Sequence, residues 1–490
     1  MHRVLASLAL VALSATVAAA AAPSYRIDAP FIRDRAGRAV FFHGVNAVWK
    51  LTPYYPPSTL FGDSEATSYF DRRDADFLAA NGLNSVRLGV LFVGVEPARG
   101  VIDERYLDRI ARIVKLLKRS GVTVLLDFHQ DLYNERYAGE GFPDWATIDD
   151  GIPATNELGF PGNYFTPAVT RAFDNLWANR DTLWDEYRNA WQRVAARFGG
   201  MRNVVGYDLF NEPWPGSQVS TCANPEGCPV FDTQVLQPFY EHVVAGIRAA
   251  DARSIVWWEP NVTNDFGAAN GVGTITPIGD PASNQGISFH AYCLIGGLAP
   301  GVSRTNDPAC PTQEQLAFQN QVGAAARNGS GLFLTEFGAS DESADIARVA
   351  AQADAAMISW HYWAYGSWSD PTGNPNEEGL FADDLDRPGS LKQAKADLLI
   401  RTYPQAVAGT PQSFAFDPTT KRFTLTYEAA PTIRKPTIVF VPVARHYGGH
   451  YEVAITGPAR VTSAPDAPLL QVRNTGDPGD VAVMVKIPRS

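Results

Sequence analysis

The stretch VVGYDLFNEPWPG, residues 204–216, reads as a buried strand that ends on a functional group. Val204 to Phe210 are almost continuously apolar instead of alternating, the pattern of a strand covered on both faces, as in a parallel sheet flanked by helices. Asn211 and Glu212 follow, and Pro213 has no N–H to continue a ladder. A residue before proline is biased toward extended backbone, so Glu212 is expected to be extended and presented at the strand's C-terminal end.

Seven further runs of the same kind lie on either side. They are VFFHGVN (40–46), SVRLGV (85–90), TVLLDFHQ (123–130), SIVWWEP (254–260), GISFHAY (286–292), GLFLTEFG (331–338) and MISWHYWAYG (357–366). Helical stretches separate them. DERYLDRIARIVKLLKRSG (103–121) sets Leu107, Ile110, Ile113, Val114 and Leu117 at helical spacing before a glycine stop. TQEQLAFQNQVGAAARNG (312–329) opens on Thr312, an expected N-cap, and closes on Asn328-Gly329. Eight strands alternating with helices predict a closed (β/α)8 TIM barrel, and no G-x-G-x-x-G follows the first strand to suggest a dinucleotide fold. Insertions after the third strand (134–175) and the fourth (215–232) follow strand C-termini, where this fold builds its site.

After a last amphipathic helix (391–402) the pattern changes to short alternating runs divided by Pro, Gly and Asp, which predict a small C-terminal antiparallel β-sandwich. Its expected role is to pack against the barrel. The expected division is a signal peptide over 1–22, the catalytic barrel over 23–403 and the sandwich over 404–490. The first segment has Arg3, an apolar run and an alanine-rich stretch, which is the pattern of a secretory leader. Export permits disulfides, and the short spacings favour Cys222–Cys228 and Cys293–Cys310. No cysteine pair has C-x2-C spacing or a neighbouring histidine pair, so neither a metal nor any other cofactor is expected.

The 490 residues are 45% hydrophobic and 19% charged, enough apolar material for a large core. The formal net charge of −11 argues against a nucleic-acid partner. The chain is expected to be a secreted monomer, extracellular or periplasmic.

The strand ends carry the chemistry. Glu212 ends the fourth strand and Glu336 the seventh, across a barrel mouth from each other. Two such carboxyls about 5 to 5.5 Å apart suit a retaining glycosidase, with Glu212 as general acid/base and Glu336 as nucleophile. An ionised Glu336 nearby should raise the pKa of Glu212. Asn211 is placed for a sugar 2-hydroxyl. Arg87 would pair with Glu336, Tyr292 would hydrogen-bond it, and His129 and His290 are polar groups that a site at the strand ends would satisfy. Trp363 or Trp368 would floor the sugar site by stacking.

Arg at strand two, His at three, Asn-Glu-Pro at four, His-x-Tyr at six, Glu at seven and Trp at eight resemble the cellulase-like glycoside hydrolases of family five. Within that family HGVNAVWKLTPYYP (43–56), DFHQDLY (127–133), NEPWPG (211–216) and TEFG (335–338) resemble the endoglycoceramidases. The resemblance implies release of a whole glycan from a glycosphingolipid. It implies glycan contacts at Lys50, His129, Asp131, Asn211, Tyr292 and a late Trp, besides the two catalytic roles. The segment RYAGEGFPDWATIDDGIPA (136–154) departs from the usual pattern and leaves glycan preference open. A lipid substrate would need an apolar lip and brief contact with a micelle or membrane surface, for which 51–61, 89–97 and 294–302 are the candidate stretches. The rival readings are a β-glucosidase or glucanase acting on a soluble glucan or a simple glucosyl lipid, and a non-catalytic glycolipid-binding barrel.

Overall fold

A computed structural model describes residues 24–58, 70–222, 224–277, 283–293, 308–374 and 376–488. The proposed leader and the 294–302 stretch lie outside them. No described helix is long and apolar enough to cross a membrane.

Three short N-terminal strands come first: β1 (Tyr25–Asp28), β2 (Phe31–Asp34) and β3 (Ala39–Val40). The eight sequence runs then supply β4 (His43–Ala47), β5 (Ser85–Val90), β6 (Thr123–Phe128) and β7 (Val204–Asp208). They continue as β8 (Ile255–Trp258), β9 (Gln285–Ala291), β10 (Gly331–Phe337) and β11 (Ser359–Tyr362). These eight are parallel and close into a barrel, with β11 pairing back onto β4. Every residue in them is buried, as strands sealed by helices outside and side chains inside must be.

The helices form for the reasons read in the sequence. In Glu104–Arg119, Asp103 caps the start by accepting from Arg105 and Tyr106 N–H, while Ile110, Val114 and Leu117 bury one stripe. Each such side chain stabilises the fold by roughly 1.5–3 kcal/mol on burial. Helix Cys310–Asn328 ends at left-handed Gly329 as expected, but it starts two residues before Thr312. Pro311 in its first turn supplies the helix-compatible φ that moves the start upstream. The last barrel helix spans only Gln393–Leu399.

The C-terminal strands are β12 (Tyr403–Val407), β13 (Gly409–Asp417), β14 (Arg422–Ala429) and β15 (Thr437–Phe440). Then come β16 (Glu452–Thr456), β17 (Ala459–Val461), β18 (Leu469–Asn474) and β19 (Gly479–Lys486). They form a four-stranded sheet, β13-β14-β19-β16, facing a seven-stranded one, β1-β2-β3-β12-β15-β18-β17. Strands β1–β3, which the sequence places with the barrel, are thus hydrogen-bonded into the C-terminal sheet, with Val40 opposite Ala406. Between the sheets lie Phe414, Leu425, Tyr427, Val439, Val472 and Val483. The N-terminal end of the barrel is plugged by Ile32, Val40 and Phe42 against Leu125, Trp257 and Phe333. That leaves the opposite, C-terminal end as the open mouth.

Both cysteine pairs are bonded, with Cα separations of 4.4 Å for Cys222–Cys228 and 5.1 Å for Cys293–Cys310.

Candidate active site

Glu212 is not extended. Its φ is +45°, in the left-handed region that non-glycine residues rarely occupy, and three local bonds override the bias from Pro213. Its N–H donates to Glu259 Oε2 at 2.7 Å, its carbonyl accepts from Gln130 Nε2 at 3.3 Å, and its Oε1 lies 2.8 Å from His290 Nδ1.

Glu336 is aimed by a different device. The β9–β10 register shifts between Leu334 and Glu336, so that Glu336 stands opposite His290. Such a bulge re-aims a strand-end side chain. Glu336 Oε1 accepts from Arg87 at 2.5 Å and its Oε2 accepts from Tyr292 O–H at 2.9 Å. Its Oε2 is also 3.6 Å from His290 Nδ1, the atom that binds Glu212. The two carboxyl oxygens can be no further apart than those two distances laid end to end. One oxygen of each carboxyl thus meets the same imidazole nitrogen, the close approach that suits a retaining pair.

His290 is the pivot. Burial works against its charge, but Glu259 (3.2 Å from Nε2), Glu336 and Glu212 outweigh that and hold the imidazole well above the usual histidine range. Glu212 is raised above the ordinary carboxyl range, first by burial and also by Glu336 and Asp131, against the downward pull of His290. Behind them Arg87, with no exposed surface, holds Asp127 and Asp208 at 2.9 Å and Glu259 at 2.8 Å as well as Glu336. One guanidinium thereby fixes acids from four strand ends.

A cavity of about 670 Å³ opens over this pair. Of the sequence-derived residues, Lys50, Asp131, Glu212, Tyr292, Glu336 and Trp363 line it. Arg87, His129, Asn211 and His290 sit behind the wall. Asn211 Oδ1 accepts from Arg87 and its Nδ2 donates to the Gln130 carbonyl, so its amide orients the acid loop. His129 Nδ1 is 2.8 Å from Asp127 Oδ2, and its ring stacks on Trp363 with centroids 5.2 Å apart. Trp368 does not reach the cavity, because it packs instead against Trp49 and Phe70.

The cavity divides by polarity. On one side Lys50 Nζ donates to Asp131 Oδ2 and Thr372 Oγ1, both at 2.6 Å, and pairs with Asp370 at 2.9 Å. Burial opposes the Lys50 charge, but Asp131, Asp370 and Glu140 outweigh it and hold the ammonium well above the lysine range. On the other side, beyond Glu212, lie Phe165, Trp214, Val219, Val262, Phe266 and Leu316. Two of the expected apolar stretches do not supply this wall. Residues 89–97 contribute Val90, Phe92 and Val95 to the barrel core, and the described part of 51–61 does not line the cavity. The insertion after the third strand contributes instead. Its Phe165 meets Trp214 edge-on at 4.9 Å, and its Tyr164 spans from Trp214 to Asp131.

The sequence reading missed Glu259 and Thr372. Glu259 stands in SIVWWEP at the end of the fifth barrel strand, the same placement that marked Glu212, and strand-end position alone would have found it. Thr372 lies on a loop with no comparable signal.

A cellulase (glycosyl hydrolase family 5) model matches residues 58–369, and a glycoside hydrolase family 5 C-terminal domain model matches residues 401–487. The chain belongs to glycoside hydrolase family 5. It is a glycoside hydrolase of the endoglycoceramidase-like group. It is 34% identical over 469 residues to endoglycoceramidase I of Rhodococcus hoagii, covering 94% of this chain and 88% of that one. Endo-glycoceramidase II from Rhodococcus sp., solved as a lactosyl-enzyme intermediate, superposes with a TM-score of 0.75 at 28% identity, over 95% of this chain and all of that one. The same enzyme in complex with ganglioside GM3 gives a TM-score of 0.76 at 27% identity, over 94% and 99%.

Proposed function

We propose that this hydrolase cleaves the β-linkage between the glycan and the ceramide of glycosphingolipids by double displacement. The observation that carries the reading is a catalytic pair, pinned to one imidazole, that stands at the border between a polar and an apolar half of one cavity. In the first step Glu336 attacks the anomeric carbon while Glu212 gives its proton to the departing ceramide oxygen. Burial keeps that proton on Glu212 above the usual carboxyl range, as a general acid requires. In the second step Glu212 takes a proton from water, which displaces Glu336 and releases the glycan. Arg87 and Tyr292 orient the nucleophile. Because the acid stands beside the leaving group, ceramide lies along Trp214, Phe165 and Leu316, and the glycan lies over Lys50, Asp131 and Trp363. Asn211 and His129 act through the groups they hold.

Phe160, Phe165 and Leu316 line the cavity yet keep 37%, 56% and 43% of their surface exposed, and so form a lip suited to a micelle or membrane surface. The two disulfides support an extracellular or periplasmic setting. The test is to digest a fluorescent glycosphingolipid with two or more sugars and identify the first products by mass spectrometry and NMR. Intact oligosaccharide with its β-anomer formed first, plus ceramide, is expected. Stepwise release of single sugars, or an α-anomer first, refutes the reading.

A further inference from the structure

We propose that Glu378 is a specificity-determining residue whose carboxyl hydrogen-bonds a hydroxyl of the neutral hexose on the glycan side of the scissile bond. The inference rests on the glycosidase reading and adds to it a residue that neither motif nor strand-end position points to. Glu378 follows β11 on the loop that closes the polar half of the cavity, and it lines the same space as Glu212 and Glu336. It is 1% exposed. Its Oε2 accepts from Trp363 Nε1 at 3.2 Å, while its Oε1, also buried, has no hydrogen-bond partner among the described residues. Buried carboxyl oxygens are seldom left unpaired, because desolvation without a partner is costly. Because Glu378 lines the cavity, a hydroxyl of the occupant becomes the partner of this oxygen once the carboxyl turns toward it.

The carboxyl is held in place by more than chance packing. The Glu378 carbonyl accepts from Ala364 N–H at 3.0 Å and from Tyr362 O–H at 2.9 Å, and its own N–H donates to Asn374 at 2.9 Å. Gly373 leaves the room it occupies, since a Cβ there would stand 1.9 Å from Glu378 Oε2 and 3.0 Å from Asp370 Oδ2. Burial, and then Asp370, push the Glu378 carboxyl up to about 8. With Trp363 donating to Oε2, the proton belongs on Oε1.

The surroundings choose the ligand class. Asp131, Asp370 and Thr372 already share the single ammonium of Lys50, so no free cation remains there among the described residues to hold a sulfate or carboxylate. Alternating donors and acceptors beside an indole instead fit an uncharged pyranose.

The experiment measures kcat/KM for the wild type, Glu378→Gln, Glu378→Ala and Gly373→Ala on an aryl β-lactoside and its set of monodeoxy analogues. Wild type should lose about 10- to 100-fold on one analogue, the size of one hydrogen bond to a buried polar group. Glu378→Ala should lose a similar factor on the parent and nothing further on that analogue. Glu378→Gln, close in shape, should recover part of the loss and carries the test should the alanine variant not fold. Gly373→Ala, which displaces the carboxyl, should reproduce the alanine pattern. Equal losses on every analogue would reduce Glu378 to a prop for Trp363 and overturn the assignment. No wild-type turnover of any aryl β-glycoside would instead overturn the glycosidase reading itself.

Discussion

Replacing Leu316 with Asp at the apolar lip should weaken turnover of a micellar glycosphingolipid while sparing a soluble aryl β-lactoside. Leu316 packs its Cβ over the turn at Gly267 and leaves 43% of its surface exposed to the cavity mouth. Somewhat less than half of the side chain is therefore available to lipid, equivalent to about two methylenes or roughly 1.6 kcal/mol. A carboxylate held against an acyl chain adds about 1–3 kcal/mol of desolvation. Together these predict a rise of roughly eightyfold to two-thousandfold in KM for the micellar substrate. The aryl leaving group ends near Trp214 and never meets the lip, so its kcat/KM should change by less than about threefold. Phe165→Asp, at 56% exposure against Trp214, should behave alike. Steady-state kinetics on both substrates, with thermal melting as a control, decide the matter. Equal losses on both, with folding intact, would show that the wall beyond Glu212 does not receive the lipid. The corresponding change at Leu294 or Ile295, the positions the sequence suggests, concerns residues outside those described.

Glu212→Gln should spare glycosides with excellent leaving groups far more than those that need protonation, with a glycosyl-enzyme accumulating by mass spectrometry; a uniform loss would place the acid elsewhere. Because burial and Glu336 raise the pKa of Glu212, wild-type kcat/KM should fall as pH rises through that elevated value, and Glu212→Gln should lack this alkaline limb. Tyr292→Phe removes one hydrogen bond to the nucleophile and should lower kcat about 10- to 100-fold with KM little changed; an effect confined to KM would remove Tyr292 from the reacting end. Arg87→Met leaves Asp127, Asp208, Glu259 and Glu336 without their shared partner and should cost about 3–5 kcal/mol or more in denaturant unfolding; a cost below about 1 kcal/mol would refute the hub.

The barrel was legible because its strands are continuously apolar and its helices periodic, and both signals come from burial that each segment shows by itself. The catalytic pair was legible because Glu212 and Glu336 interrupt such runs at their ends. What escaped the sequence depends on relations between distant segments. Whether Trp363 or Trp368 faces the cavity is decided by Trp49 and Phe70, far away in the chain. The apolar wall draws on Phe165, Trp214, Phe266 and Leu316 from four separate loops and helices, none apolar enough alone to stand out. The backbone of Glu212 was misread because proline's local bias yields to bonds with Glu259, Gln130 and His290.

The pairing of Val40 with Ala406 has a consequence for how the molecule is made. Strands β1–β3 emerge from the ribosome or a translocation channel long before β12, and until then the apolar faces of Ile32 and Val40 have only the barrel floor to cover them. The sheet they belong to cannot be completed until more than 360 further residues have been synthesised, and closing so long a loop costs chain entropy that no local contact offsets. The seven-stranded sheet therefore cannot be completed before β12 has been made, and the barrel, whose β4 follows closely on β3, must likewise wait for β11. A chain truncated before residue 403 would leave the edge of β3 that pairs with β12 exposed, and aggregation should overtake folding.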